Sequence, residues 1–176
     1  SAVNLAAAFA AHGHRTCLID LDPQAHMTLH VGLDGDAIEC TVYDLLVDPQ
    51  RNIADAIVKV DERLDAIVAE TDLAAAETEL ADQSGRQDIL ARKFEAISDQ
   101  YDVVMIDCPP SLGLLTLNAL AMADEVFVPM QAHFLALQGV GKLLETVGLV
   151  CQSVNPALEV TGVVLCMHEK QTNLAR

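Results

Sequence analysis

Four short aliphatic runs constrain this chain more than any other feature: Thr16-Cys17-Leu18-Ile19, Val103-Val104-Met105-Ile106, Val126-Phe127-Val128 and Val160 to Met167. Each is a short, continuous apolar run, so each reads as a strand, the first of them buried. Helical patterns lie between them. Ala2 to Ala11 is stopped by Gly13, and Gln87 to Ser98 carries an apolar face of Ile89, Leu90, Phe94 and Ile97. Leu112 to Ala123 follows, then a long helix marked by Leu137, Val140, Leu144, Val147 and Val154. Thr41 can cap a short helix through Leu46, Asn52 can open another through Ile57, and Asp72 starts a third with an acidic first turn. Asp22 to Gly35 reads mostly as loop, Val58 to Val68 alternates weakly in the manner of strands, and Pro129 is expected to stop the third run. Strands alternating with helices predict an α/β sandwich of three layers around a mainly parallel sheet.

Composition agrees with a single packed domain over residues 1–176. Hydrophobic residues make up 52% and aromatic residues only 3%, so the core is expected to be Ala, Val, Leu and Ile. No apolar run reaches the roughly 18 residues of a membrane span. Five cysteines without a C-x-x-C pair read as small buried residues of a reducing compartment. The net charge of −16, from 26 acidic and 10 scattered basic residues, argues against nucleic-acid binding by this segment alone.

The chemistry concentrates where strands end. Leu18-Ile19 runs into Asp20-Leu21-Asp22-Pro23, and Ile106 into Asp107-Cys108-Pro109-Pro110. In open α/β sheets ligands lie beyond the carboxyl ends of the strands, where carboxylates can hold magnesium through its waters or orient an attacking water. The bland alternative is that such an aspartate caps the next helix; two strands ending this way, each followed by Pro, weaken it. His12 with His14, and His26 with His30, have metal-like spacing, but no third ligand is placed and they are expected to be solvated surface residues.

Asp20-Leu-Asp-Pro-Gln24 resembles the D-x-D-P-Q segment of the ParA/Soj/MinD ATPases with a deviant Walker motif. Tyr101 to Leu120 is similar to their Walker B strand and switch nearly residue for residue. Leu73-Ala-Ala-Ala-Glu77, Pro129-Met-Gln131, Ala136-Leu-Gln-Gly139 and Thr172-Asn-Leu174 add further matches, so the resemblance runs from Ser1 to Arg176, weakest between Gly35 and Leu64. It implies a P-loop NTPase-like fold and ATP hydrolysis with Mg2+. Asp22 would position the hydrolytic water and Asp20 would support the phosphate and magnesium site. Asp107 would bind magnesium through water, and Pro109, Pro110 and Gly113 would form the switch that senses the γ-phosphate. It further implies an ATP-dependent homodimer, non-specific DNA binding, a ParB-like partner, and a cytoplasmic, nucleoid-associated protein with no membrane attachment. A MinD-like membrane-surface ATPase and an amidoligase of the cobyrinic-acid synthase type are the alternatives.

Three departures from the family pattern stand out. The family's K-G-G-V-G-K-T-T loop comes directly before the segment matching Ser1 to Leu5, so the chain reads as a domain cut at both ends. Such a piece is expected to leave a gap in the sheet and to be inert toward ATP by itself. Gln171 stands where many relatives have an arginine tied to DNA contact, with Lys170 beside it, and His133 stands where many have Glu.

Overall fold

The computed structural model describes residues 1–131 and 134–166. It resolves two compact units, Ser1–Ala119 and Leu120–Arg176. The readings made above for His133 and for Met167 to Leu174 lie outside the described residues.

In the first unit, α1 (Ala2–Ala11) ends two residues before Gly13, whose φ of +94° suits a residue without a Cβ. The strands β1 (Thr16–Asp20), β2 (Val58–Asp61), β3 (Leu64–Ile67) and β4 (Val103–Asp107) form one sheet in the order β2-β3-β1-β4. β1 is central and parallel to both neighbours, while β2 folds back on β3 as an antiparallel hairpin. All five residues of β1 are buried. Leu18 packs with Ala6 of α1, Met27 and Leu64, and Cys17 and Ile19, which point to the opposite face, are equally enclosed. β4 is only half-buried, because it is paired on one edge alone among the described residues.

The remaining helices of this unit are short: α2 (His26–His30), α3 (Val42–Val47), α4 (Ala76–Glu79) and α5 (Ile89–Phe94), with the start of α6 (Leu114–Met122). α3 has the capping box expected of Thr41, with Asp44 closing it from the third position. The helix expected from Asn52 is a 3-10 turn, Ile53–Ala56, and that from Asp72 opens as a 3-10 turn before α4. The pattern at Gln87 to Ser98 resolves into α5 between two 3-10 segments, with Ile89, Leu90, Phe94 and Ile97 all buried.

In the second unit, β5 (Glu125–Gln131) and β6 (Glu159–Cys166) form a parallel pair around the crossover helix α7 (Phe134–Ser153). Asn155 closes the end of that crossover by donating to the carbonyls of Leu120 (3.0 Å) and Ala123 (2.7 Å). Pro129 does not stop β5 as expected but lies within it, opposite Val164. β5 is paired on one side only among the described residues, and a proline is tolerated in such a strand because a missing N–H need not break a ladder bond. Among the described residues the strands make two sheets, of four and two strands, and the mostly parallel α/β class stands as expected.

Candidate functional site

The site is built where β1 and β4 end. Asp20 is the last residue of β1 and Asp107 the last of β4, and the two are register partners across the parallel ladder. The amide of Leu21 donates to the main-chain carbonyl of Asp107 (2.8 Å), extending the pairing one step past the strands. Asp22 follows one residue later, so the three carboxylates expected to converge lie at one edge of the sheet.

Asp20 is fully buried, and its charge is met entirely by protein donors. The amide of Asp22 donates to Oδ1 (3.1 Å), and the amide (3.0 Å) and hydroxyl (2.8 Å) of Thr28 donate to Oδ2. Burial pushes its pKa upward, the Thr28 and Asp22 hydrogen bonds pull it back, and the nearby Asp107 charge adds to the rise. Asp107 is half-buried, and among the described residues no protein group donates to its carboxylate. Burial raises its pKa too, reinforced by Asp22 and opposed by His26. A half-buried carboxylate pressed by neighbouring negative charge, with its oxygens unspent on protein donors, suits a hard cation with oxygen ligands such as magnesium.

Between Asp20 and Thr28 the chain makes a tight turn. Asp22 Oδ1 accepts from the amide of Gln24 (2.9 Å), and the amide of Ala25 donates to the Asp22 carbonyl (2.8 Å). Pro23 suits this turn because its fixed φ matches a first corner position. Ala25 leaves the turn in the left-handed region at φ +52°, a conformation that costs a residue bearing a Cβ about 1–2 kcal/mol. α2 follows at once, where the loop-like composition of Pro23 to Gly35 predicts no helix. The Thr28 bonds to Asp20 account for that difference, because they fix the middle of this segment from outside it. His26 and His30 do fall one turn apart on α2, both exposed. Among the described residues no three His, Cys, Asp or Glu side chains gather closely enough to hold a metal ion unaided.

Past Asp107 the chain leaves the sheet. Cys108 is exposed, which corrects the expectation of a buried thiol, since the strand has ended one residue before it. Pro109 is half-buried and Pro110 exposed, in the loop that leads to α6. Thr116 Oγ1 donates to the Ser111 carbonyl (2.6 Å), and the amide of Leu117 to that of Gly113 (3.0 Å), fixing the first turn of the helix. The Glu77 carboxyl lies against the α-carbon of Gly113, with Cδ only 2.9 Å from where a Cβ would be. Asn118, fully buried, donates to the carbonyls of Arg86 (2.8 Å) and Leu114 (3.0 Å) and accepts from the amide of Leu90 (3.1 Å). The helix that follows this loop is thereby tied to α5. Thr28 and Asn118 are the participants that sequence reasoning missed. Each is a polar residue between two apolar ones, with another polar residue two positions away, and nothing local distinguishes it from a surface position.

Comparison with known proteins agrees with the fold. Residues 1–160 match the family model of an AAA domain. The chain is 44% identical over 174 residues to the sporulation initiation inhibitor protein Soj of Bacillus subtilis, covering 99% of this chain and 69% of that one. It is 41% identical to the chromosome partitioning protein ParA of Myxococcus xanthus, covering 99% of this chain and 62% of that protein. Among solved structures it is similar to one described as cobyrinic acid a,c-diamide synthase from Mycobacterium smegmatis with bound ATP analogue and magnesium. That likeness has a TM-score of 0.92 at 38% identity, over 99% of this chain and 71% of the other. The chain thus spans about two thirds of the length of the curated relatives it matches.

Proposed function

We propose a function from one premise: the chain belongs to the ParA/Soj family of partition ATPases. The protein that carries it hydrolyses ATP, dimerises with ATP bound, binds DNA non-specifically through that dimer, and segregates chromosome or plasmid DNA with a ParB-like partner. It works in the cytoplasm, on the nucleoid. The observation that carries this reading is the pairing of Asp20 with Asp107 at the ends of two parallel strands, with Asp22 in the adjoining turn.

Each of these residues has a physical task in the reading. Phosphoryl transfer demands positioning and charge neutralisation rather than a covalent nucleophile. Asp107 holds magnesium through water, which its half-buried carboxylate suits, with Asp20 backing the same site. A bound magnesium ion supplies charge neutralisation for the phosphates. Asp22, half-exposed and anchored by its own amide to Asp20, orients the attacking water. Pro109, Pro110 and Gly113 form the switch between nucleotide and dimer surface. DNA binding belongs to the assembled dimer, since a chain of net charge −16 repels a polyanion by itself.

A second reading, an ATP-dependent amidoligase, draws on the description of the Mycobacterium smegmatis structure. The relatives described as Soj and ParA share more identity with the chain, 44% and 41% against 38%, which supports the partition reading. The test uses the full-length protein with ATP and magnesium. Turnover stimulated by DNA together with a ParB-like partner is expected. Glutamine-dependent conversion of a carboxylate substrate to its amide, without stimulation by DNA, would favour the second reading.

A further inference from the structure

Thr28 sits 0% exposed on α2, eight residues beyond Asp20, and joins three separate parts of the chain through one hydroxyl. Its Oγ1 donates to Asp20 Oδ2 (2.8 Å) and accepts from the amide of Ala69 (3.1 Å), just past the end of β3. Its own amide makes a second bond to the same carboxylate oxygen (3.0 Å). Only a hydroxyl can donate and accept at one atom in this way. The other Asp20 oxygen is taken by the amide of Asp22. One buried carboxylate therefore grips both ends of the turn that carries Asp22.

The turn's own bonds, from the amides of Gln24 and Ala25 to Asp22, do not fix where it sits against the strand ends. Ala25 is in the left-handed region, and a five-residue helix cannot persist on its own hydrogen bonds. We infer that Thr28 is a positioning residue for hydrolysis, holding Asp22 in register with the reacting phosphate by clamping Asp20 against β3. Thr28 touches no reacting atom; it acts through Asp20 on Asp22. The inference rests on the proposed role of Asp22 in orienting water. Misplacement by a fraction of an ångström matters there, since a water-orienting group contributes through geometry.

The alternative is that Thr28 only stabilises the fold, and a mutant cycle separates the two. Steady-state and single-turnover ATP hydrolysis would be measured on the full-length protein and its Thr28→Val, Thr28→Ser, Asp22→Ala and Thr28→Val/Asp22→Ala variants. Thr28→Val is expected to lower kcat about tenfold or more while KM stays within about threefold, because only the water-orienting geometry is lost. Thr28→Ser, which keeps the hydroxyl, is expected to restore kcat to within about threefold of wild type. In the double variant the Thr28 change should add nothing to the loss from Asp22→Ala, since residues acting as one unit are not additive. Wild-type kcat in Thr28→Val, or losses that multiply in the double variant, would overturn the inference. Should Thr28→Val fail to fold, Thr28→Ala removes the hydroxyl without setting a methyl against the carboxylate and carries the same cycle. If Asp22→Ala alone turns over at the wild-type rate, the role given to Asp22 is what fails.

Discussion

Asp20 and Asp107 face each other across the β1–β4 ladder, yet their surroundings divide the work between them. Asp20 is enclosed and spends its oxygens on Asp22 and Thr28. Asp107 is half-buried and accepts nothing from protein donors among the described residues. Two carboxylates in one register thus become an anchor and an available ligand. The assignment follows from where the chain turns next: after Asp20 it folds back over the strand end, and after Asp107 it departs through Pro109 and Pro110.

This division predicts different losses in the full-length protein. Asp22→Ala is expected to bind ATP and dimerise normally but to hydrolyse it at least about a hundredfold more slowly, in the range typical of a lost positioning group. Asp107→Ala should weaken magnesium-dependent nucleotide binding as well as turnover. Fluorescent-nucleotide titration with and without magnesium, beside a phosphate-release assay, separates the two. Equal turnover in Asp22→Ala and wild type would remove Asp22 from the mechanism.

At the opposite end of the same two strands, Arg15 clamps Asp102 through Nη2 (2.7 Å), Nε (3.2 Å) and its own amide (2.8 Å). These bonds pull the Asp102 pKa from 3.8 down to about 2. A carboxyl depressed in the folded state stabilises the fold above its unfolded value and loses that contribution as pH falls through the folded one. The stability difference between wild type and Asp102→Asn should therefore be flat above about pH 5 and shrink between about pH 4 and 2. Denaturant melts across that range measure it. Because the pair is exposed, the difference should also diminish in high salt.

How much of this was legible in the sequence depends on whether the cause was local. The aliphatic run at Thr16 gave its strand away because a buried parallel strand leaves continuous apolar text, whereas those at Val103 and Val160 also form strands but half-buried and mostly exposed ones, so there the apolar text overstated burial. Gly13 and Thr41 likewise act on the residue beside them. α2 was hidden because Asp20 and Ala69 create it from a distance, by bonds to Thr28 that no window of neighbouring residues displays. Pro129 misled for a related reason: its cost depends on which strand lies beside it, and that is a property of topology. At the site, the aspartates stood out by their place after strands, whereas Thr28 and Asn118 acquire their partners only on folding.

Asn118 is expected to matter for stability more than its size suggests. Truncation to Ala would strand the buried Leu90 amide and the Arg86 carbonyl, at about 2–3 kcal/mol in sum, while the Leu114 carbonyl keeps its helical partner. That corresponds to a Tm lower by roughly 4–12 °C for a domain of this size. Asn118→Leu should be no better, because it refills the space and still leaves the Leu90 amide and the Arg86 carbonyl unpaired. Differential scanning calorimetry decides; a Tm within a degree or so of wild type in both variants would mean that these groups find other partners.

Two glycines offer a sharper comparison, because the same substitution meets two different obstacles. At Gly35 a new Cβ would run into the main-chain carbonyl of Ala69, with its carbon 3.1 Å away, and this is the residue whose amide bonds Thr28. A backbone carbonyl next to a strand end cannot step aside without dragging the Thr28–Asp20 clamp. At Gly113 the obstacle is the carboxyl end of Glu77, an exposed side chain that can swing into water. Gly35→Ala is therefore expected to cost about 1–3 kcal/mol, as overpacking does, and to lower turnover through the clamp. Gly113→Ala should leave stability within about 1 kcal/mol, and any loss of turnover it causes should be relieved in Gly113→Ala/Glu77→Ala, where the obstructing carboxyl is gone. Failure of Glu77→Ala to relieve a turnover defect would show that position 113 needs backbone freedom rather than room, the behaviour expected of a switch that moves.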